Sequence, residues 1–297
     1  MKKALITGGT GFLGRHLLEV LVNSKKYELT VSFSNILKEI LPKEVNVIKL
    51  DLTKDQDIEK LPYFDIVFHL AGNIRITGKD TLEKHESINS EGTNKLLKKC
   101  ILNKIPEFIF ISSCEVYGSL LKEDITEESK IEPSNDYGRS KMQAERYCKK
   151  YSDKIKIIIL RPSYIYGEGI SKERIFYKII NSALNQNNIP YPPSLGGNDF
   201  IYVKDVAQII YDISNLKNLS NFEIYNISSG KFTSMLEIFE TIKKLTGKSY
   251  LPYIFKKEEA EIRRFSFSAN KIKSIGLVPK YSLTEGLKEM LQFMRDK

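Results

Sequence analysis

The sequence predicts an α/β fold, a doubly wound parallel sheet followed by a smaller C-terminal α/β region. Short apolar runs rich in Ile, Val and Phe alternate with segments of helical periodicity in the first half of the chain, a pattern typical of parallel strands joined by crossover helices. A glycine-rich turn joins the first apolar run to the first helical segment. With 297 residues, 41% of them hydrophobic, the chain can bury a full core.

Six apolar runs are the predicted strands, and their continuous hydrophobicity indicates burial on both faces of the sheet. They cover residues 4–6, 29–33, 45–50, 66–70, 108–112 and 155–160. Helices are predicted between them where apolar side chains recur at helical spacing, over residues 13–21, 94–102 and 141–151.

The alternation loosens after about residue 165. Proline and glycine at 189–193 and 196–197 predict loops, and helices are predicted near 206–214 and 234–246. We therefore expect a first domain over residues 1–165 and a smaller region over 166–297 that packs on it and returns some strands and helices to it.

Composition excludes several classes of function. The formal charge of +9 comes from scattered lysines, which indicates a solvated surface; the alternative is that part of it attracts a phosphorylated substrate. No basic cluster is interleaved with aromatic residues, so nucleic acid is not an expected partner. The three cysteines lack the close pairing of a zinc or redox site, so we expect reduced thiols and no metal. Without an 18-residue apolar run or a signal peptide, a cytoplasmic protein without membrane contact is predicted.

The turn after the first strand is the first functional signal. Gly8 permits a tight turn, Gly11 lets the backbone approach a pyrophosphate, and Gly14 allows close packing of helix on strand. The helix that follows supplies free N–H donors at its N-terminus. This arrangement predicts a dinucleotide site.

A second signal lies about 120 residues further on, where Tyr137 precedes Lys141 by four residues, downstream of Ser112 and Ser113. A tyrosine side chain ordinarily has a pKa near 10 and is a poor base at neutral pH. A lysine ammonium on the same helical face and a positively charged nicotinamide would both favour the phenolate. The two signals together predict redox chemistry on an alcohol carbon.

These motifs resemble those of the extended short-chain dehydrogenase/reductase superfamily, specifically the NAD-dependent epimerase/dehydratase family. The resemblance covers essentially the whole chain, with matching segments at 8–14, 51–52, 69–72, 89–93, 112–118, 137–141, 160–167, 199–207, 225–230 and 276–287. It implies a Rossmann-like NAD(P)-binding domain over residues 1–165 and substrate binding mainly by residues 166–297. It also implies a homodimer in which helix 94–102 and the helix that starts at Tyr137 pair with their symmetry mates.

The resemblance assigns roles to particular residues. Tyr137 is implied as the acid/base, Lys141 as its partner and a ligand of the nicotinamide ribose, and Ser113 as the hydroxyl that orients the reacting oxygen. The implied cofactor contacts are Gly8, Thr10, Gly11, Phe12, Leu13, Gly14, Ser34, Asp51, Leu52, Leu70, Ala71, Gly72, Asn89, Tyr137, Lys141 and Pro162. The implied substrate contacts are Cys114, Glu115, Tyr164 and Arg263. His69 is interpreted as a core or loop histidine near the cofactor.

The preferred cofactor depends on the end of the second strand. Relatives that use NAD carry an aspartate where this chain has Ser34, and a carboxylate there binds the ribose 2′-hydroxyl. Its absence removes repulsion against a 2′-phosphate and favours NADP(H) over NAD(H). Asp51 is implied to contact the adenine amino group with either cofactor.

The implied substrate is a sugar nucleotide whose C4 hydroxyl and ketone are interconverted, by a 4-epimerase or a 4-ketoreductase. Dehydration is disfavoured because Cys114 replaces the general acid of the related dehydratases. Nucleotide-sugar decarboxylases have a glutamate at the position of Glu115, but this chain lacks the arginine-bearing segment of those enzymes. The diphosphate contacts depart from the family pattern at Tyr164 and Asn198. Arg263 or Arg264 is an alternative phosphate ligand, and a solvated charged loop accounts for these two arginines equally well. A catalytically silent dinucleotide-binding sensor or assembly protein is the alternative from another class.

Overall fold

The structure, a computed structural model, describes residues 1–34, 41–74, 82–118, 124–185, 188–189, 196–250 and 265–296. The chain divides into two compact units. The first comprises Met1–Ser119, Glu127–Pro162 and Ala207–Asn226, and the second comprises Leu120–Thr126, Ser163–Val206 and Ile227–Lys297. Residues beyond 165 therefore return to the first unit.

A seven-stranded sheet is the centre of the first unit. Its strands are β1 (Lys2–Thr7), β2 (Tyr27–Phe33), β3 (Asn46–Lys49), β4 (Ile66–His69), β5 (Glu107–Ile111), β6 (Lys156–Pro162) and, later in the chain, β10 (Phe222–Ile227). They lie in the order β10-β6-β5-β4-β1-β2-β3, and the pairs from β3 to β6 are parallel. The doubly wound parallel sheet predicted from the sequence is confirmed.

The strand at the end of this sheet departs from the prediction. Strands β4 and β5 are buried throughout, but most of β3 is exposed, with Val47 49% exposed. The prediction that all six strands are buried on both faces is wrong for β3, because a terminal strand has a neighbour on one side only.

Among the described residues, six helices belong wholly or mostly to the first unit. They are α1 (Phe12–Ser24), α2 (Asp55–Glu59), α3 (Leu82–His85), α4 (Gly92–Leu102), α5 (Asp136–Lys150) and, after β9, α7 (Val203–Ile213), most of which belongs to this unit. A π-helical turn, Glu86–Glu91, joins α3 to α4, and a 3₁₀ turn, Cys114–Tyr117, follows β5. The apolar pattern placed the start of α5 at 141; it starts at Asp136 because the Asn135 side chain accepts a hydrogen bond from the Gly138 N–H at 2.8 Å.

The second unit has its own core and two small sheets. Its strands are β7 (Tyr164–Tyr166), β8 (Asn188–Ile189), β9 (Gly197–Tyr202), β11 (Phe232–Ser234) and β12 (Ser249–Tyr250), and its further helices are α6 (Ile175–Asn185), α8 (Met235–Thr246), α9 (Asn270–Ser274) and α10 (Leu283–Arg295). One sheet has the strand order β11-β9-β7, and the other pairs β12 with β8. Stacked rings such as Tyr166 and Phe176, with centroids 4.6 Å apart, fill the core.

Two residues predicted to lie in loops belong to strands of this unit. Ile189 pairs with Tyr250, and Gly197 opens β9. A Cβ at Gly197 would lie 2.0 Å from the Thr233 carbonyl oxygen, so this glycine serves close strand pairing instead of a turn. Residues 190–193 of the predicted loop lie outside the described residues. Among the helices given above, none has both the length and the apolarity that a bilayer crossing requires.

The strand order reverses between β1 and β4, which are adjacent in the sheet. In doubly wound sheets, ligands bind outside the carboxyl ends of the strands at this reversal. Gly8 follows β1 and Leu70 follows β4. The fold therefore places both segments at the position expected for a ligand.

Candidate active site

The turn after β1 is a tight cradle in which Gly8 and Gly14 leave no space for a side chain. Gly8 has φ +71°, and a Cβ there would lie 2.8 Å from the Ala71 backbone nitrogen. A Cβ at Gly14 would lie 2.1 Å from the Gly8 carbonyl oxygen. The cap of α1 is Gly11, which has no side chain to bind the first N–H groups of the helix, and no acidic residue lies in its first turn. The uncapped N–H groups at the start of α1, and a backbone that a ligand can approach closely, fit a dinucleotide pyrophosphate.

Gly8→Ala is expected to lower the free energy of unfolding by several kcal/mol and to prevent dinucleotide binding. A left-handed alanine costs about 1–2 kcal/mol anywhere, and at Gly8 the Cβ also meets the backbone of Ala71. The matched control is Gly247→Ala, where φ is +68° but no atom lies within 4 Å of the new Cβ. Thermal unfolding and NADH titration of both variants check this. Equal losses in the two variants would contradict the steric explanation.

His69, at the end of β4, lies in a chain of buried hydrogen bonds. Its Nδ1 is 2.6 Å from Thr7 Oγ1, and its Nε2 is 2.8 Å from Thr93 Oγ1. Thr93 donates its proton to the Asn89 carbonyl, and Thr7 accepts from the Ala71 N–H. The network thus assigns the proton of His69 to Nε2. Burial, and secondarily the charge of Lys141, lowers the pKa of His69 to about 3, so the ring is neutral.

Lys141 belongs to α5, and its side chain reaches the carboxyl end of β5. Its Nζ donates a hydrogen bond to the Ile111 carbonyl at 2.8 Å and lies 4.8 Å from the centre of the Phe110 ring and 5.9 Å from that of Tyr137. The residue is 3% exposed. Burial lowers the pKa of Lys141 to about 8, so its charge responds to changes close to neutral pH.

The segment after β5 is fastened to the start of α5. Ser113 Oγ caps the 3₁₀ turn by accepting from the Glu115 N–H at 3.2 Å. The Glu115 carboxylate in turn accepts from Asn135 Nδ2 at 2.6 Å, and Asn135 caps α5 two residues before Tyr137. Ser113 therefore lies two residues after Ile111, whose carbonyl binds Lys141. Hydrogen bonds through Glu115 and Asn135 connect it to the start of α5, which carries Tyr137.

Gly72 and Asn89 belong to the same neighbourhood. A Cβ at Gly72 would lie 3.1 Å from Asn89 Oδ1 and 3.3 Å from Lys141 Nζ. Asn89, in the π-helical turn, is fully buried and donates to Ser140 Oγ at 2.9 Å. The end of β4, the π-helical turn and the start of α5 thus converge on Lys141.

The other residues implied by the resemblance occupy varied positions. Partial burial raises the pKa of Asp51, but two hydrogen bonds from Thr53 and the nearby Lys54 outweigh it, and the net shift is downward. Leu52 is a core residue, whereas Ser34 is exposed directly after β2. Thr10, Phe12 and Leu13 lie in the turn and first helical residues, Leu70 and Ala71 follow β4, and Pro162 ends β6.

The implied substrate contacts that the structure describes are divided between the two units. Cys114 is buried in the 3₁₀ turn beside Glu115. Tyr164 belongs to the second unit, where its ring lies 6.2 Å from those of Phe200 and Phe265. Arg263 lies outside the described residues. Among the described side chains, no three His, Cys, Asp or Glu are grouped to hold a metal ion.

Sequence reasoning missed a buried ion pair that supports the 112–117 segment. Arg161, 1% exposed, binds both carboxylate oxygens of Glu145, at 2.9 and 2.6 Å. Glu145 also accepts from Ser112 Oγ at 2.5 Å, and Arg161 donates to the Tyr117 hydroxyl at 2.8 Å. The signal in the sequence was an arginine inside an otherwise apolar strand, which needs a buried partner.

The glycine cradle at the strand reversal and the buried lysine beside a tyrosine define a nicotinamide-dependent enzyme of the short-chain dehydrogenase/reductase class. The family model described as the NAD dependent epimerase/dehydratase family matches residues 4–228. The chain belongs to this family, as the sequence motifs predicted.

Individual relatives extend over the whole chain. The protein named "Putative UDP-glucose 4-epimerase" of Methanocaldococcus jannaschii is 30% identical over 98% of this chain and 98% of its own length. The dTDP-D-glucose 4,6-dehydratase of Homo sapiens is 27% identical over 99% of this chain and 90% of its own. The solved UDP-glucuronic acid 4-epimerase of Bacillus cereus, in complex with UDP-glucuronic acid and NAD, superposes with a TM-score of 0.85 at 24% identity, covering 99% of each chain. The structural similarity establishes the fold.

Proposed function

We propose that this protein is a sugar-nucleotide 4-epimerase that interconverts a secondary hydroxyl and a ketone at sugar C4 with a nicotinamide dinucleotide. The observation that carries the proposal is the buried Lys141 beside Tyr137 at the carboxyl end of β5, in a chain that also has the glycine cradle. Relatives of full length that are named as 4-epimerases support the choice of reaction.

In this proposal the chain's own residues move the proton. Tyr137 Oη accepts the proton of the substrate hydroxyl as the C–O bond gains double-bond character, and returns it when the ketone is reduced. The Lys141 ammonium stabilises the phenolate, and it does so strongly because it lies in a buried site of low dielectric. Ser113 orients the reacting oxygen by a hydrogen bond. A nicotinamide dinucleotide held by the glycine cradle would supply the acceptor and donor of the hydride for this interconversion.

The proposed cofactor contacts lie at three places, the glycine cradle, Asp51 and the segment that follows β4. The cradle formed by Gly8, Gly11 and Gly14 and the N–H groups that open α1 would hold the pyrophosphate. Asp51, whose carboxylate stays ionised, would accept from the adenine amino group. Leu70, Ala71 and Gly72, at the end of β4, would lie along the nicotinamide half.

A 4-ketoreductase is the second candidate, and the end of β2 favours it. Ser32, Phe33 and Ser34 offer no carboxylate for a ribose 2′-hydroxyl, so we propose that NADP(H) is accepted at least as well as NAD(H). A site that accepts NADP(H) fits a reductase that consumes NADPH. An epimerase recycles its hydride internally and does not need a site that accepts NADP(H).

Ser34→Asp is expected to weaken NADPH binding about tenfold or more and to leave NADH binding unchanged or tighter. The introduced carboxylate would repel a 2′-phosphate and accept from a 2′-hydroxyl. The matched control is Ser220→Asp, which adds the same charge at another exposed serine, before β10. Titrations with both cofactors check this. Equal weakening of NADPH binding in both variants would show a general charge effect and contradict the assignment of Ser34.

Dehydration is the less favoured reaction of the family here. The resemblance places a general acid at position 114, and this chain has a buried cysteine there. Elimination of water lacks its proton donor, despite the similarity to dTDP-D-glucose 4,6-dehydratases.

The test is a turnover assay with UDP-glucose, UDP-galactose and UDP-glucuronic acid and with their 4-keto derivatives. Formation of the 4-epimer without net change in nicotinamide absorbance supports the epimerase. Stoichiometric loss of NADPH on a 4-keto sugar nucleotide supports the ketoreductase. Tight dinucleotide binding without turnover on any member of the panel would instead support a silent binding protein.

We also propose that the second unit carries most of the substrate-binding residues, that the protein is a homodimer through α4 and α5, and that it acts in the cytoplasm. Leu102, at the end of α4, is 74% exposed, and such an apolar side chain suits an interface. All three cysteines are free and buried, as is usual in a reducing compartment. Analytical ultracentrifugation at micromolar concentration tests the dimer, and a monomer there would exclude it.

A further inference from the structure

Two buried polar atoms next to Tyr137 have no hydrogen-bond partner among the described residues. They are Nε2 of His85 and Nδ2 of Asn73. His85 is fully buried at the end of α3. Leaving a buried polar atom unpaired costs free energy, so such atoms in a folded protein call for an explanation.

The two atoms have complementary chemistry. Nδ1 of His85 lies 3.1 Å from the Asn73 carbonyl oxygen, which can only accept, so Nδ1 carries the proton. In the neutral ring Nε2 is then a lone-pair acceptor. Nδ2 of Asn73 is an amide donor. The pair therefore offers one acceptor and one donor that the rest of the described chain does not use.

Both residues are held in place relative to Tyr137. The His85 ring packs edge-on against the Tyr137 ring, with centroids 6.2 Å apart. The Asn73 main chain is clamped by Asn89, which accepts from its N–H at 2.6 Å and donates to its carbonyl at 3.0 Å. Asn89 also donates to Ser140 Oγ, which donates to the Tyr137 carbonyl. The His85 ring thus contacts Tyr137, and the Asn73 main chain is linked to the Tyr137 carbonyl through Asn89 and Ser140.

We propose that His85 and Asn73 together bind a hydroxyl group of a bound ligand. The ligand O–H donates to His85 Nε2, and its oxygen accepts from Asn73 Nδ2, because a hydroxyl serves one acceptor and one donor through a single atom. Asn73 is partly exposed whereas His85 is fully buried, so the proposed ligand approaches from the side of Asn73. The hydroxyl belongs either to the ribose that carries the nicotinamide or to the sugar of the substrate, and the second source rests on the proposed function.

The test compares His85→Asn with His85→Gln. An asparagine amide can replace Nδ1 and keep the bond to the Asn73 carbonyl, but it does not extend to the position of Nε2. A glutamine amide extends to that position and can present an acceptor there. Dissociation constants are measured for NADH and for ADP, which lacks the nicotinamide ribose, and for UDP-glucose and for UDP, which lacks the sugar.

His85→Asn is expected to weaken one of the two hydroxyl-bearing ligands about tenfold or more and to leave its truncated partner unchanged, with partial recovery in His85→Gln. Weakening of NADH but not ADP identifies the ribose, and weakening of UDP-glucose but not UDP identifies the sugar. Unchanged affinities, equal loss for all four probes, or equal loss in both variants would overturn the proposal and leave His85 as a packing residue. If the wild type fails to bind UDP-glucose, the proposed substrate fails, whereas NADH and ADP still test the pair.

Discussion

Tyr137→Phe is expected to reduce kcat about 10³-fold while leaving the fold and dinucleotide binding intact. The change removes one oxygen, the atom proposed to exchange a proton with the substrate hydroxyl, and general acid/base groups typically contribute about 10²–10⁴-fold to a rate. The aromatic ring remains, so its edge contact with His85 is kept. The measurement is kcat and KM on the sugar nucleotide that the wild type converts, with dinucleotide affinity measured by titration.

The matched control is Tyr147→Phe, the same loss of one oxygen ten residues further along α5. The Tyr147 hydroxyl bonds to Glu91 instead of taking part in the proposed chemistry, so activity is expected to stay within about twofold, as for a surface change. An active Tyr137→Phe enzyme would remove this tyrosine from the mechanism. Similar losses in both variants would indicate damage to the helix and not to the chemistry.

Lys141→Met is expected to reduce kcat about 10²-fold or more at pH 7.5 and to move the remaining activity to higher pH. Methionine fills the space of the lysine stem but cannot supply the positive charge that favours a phenolate. Lys149→Met, on the exposed side of the same helix, is the control and should be neutral. A pH–rate profile of the three proteins checks the shift, and an unshifted profile for Lys141→Met would contradict the electrostatic role.

Lys141 also predicts a pH dependence of stability. Burial lowers its pKa from 10.5 to about 8, so between these values the unfolded chain binds more protons than the folded chain. Stability contributed by this group therefore rises with pH across that window and is constant below it. The unfolding free energy of the wild type minus that of Lys141→Met should increase from pH 8 to 10.5, by on the order of 3 kcal/mol. A flat difference in denaturant titrations would show that the ammonium is not desolvated.

Local patterns were sufficient for the fold class and for the two main motifs. Runs such as 66–70 and 108–112 predicted buried parallel strands, and the glycines at 8, 11 and 14 predicted a tight turn, in which a Cβ at Gly8 or Gly14 would overlap backbone atoms. Both depend on residues close together in the chain. The same patterns misplaced the start of α5, which a polar cap decides, and overestimated the burial of β3, which depends on its place at the end of the sheet.

Hydrophobic periodicity, the spacing of the glycines and the four-residue separation of Tyr137 from Lys141 are properties of residues that are close in sequence. The sequence by itself therefore determined the parallel sheet, the glycine cradle and the pairing of Tyr137 with Lys141. Tertiary structure alone decided that Lys141 is desolvated, that His69 is neutral, and that His85 and Asn73 each bury a polar atom with no partner among the described residues. Those properties arise from neighbours distant in sequence, such as Ile111 for Lys141 and Thr7 for His69, 30 and 62 residues away. Desolvation and hydrogen bonding depend on which groups the folded chain brings together, and short sequence patterns carry no information about such pairs.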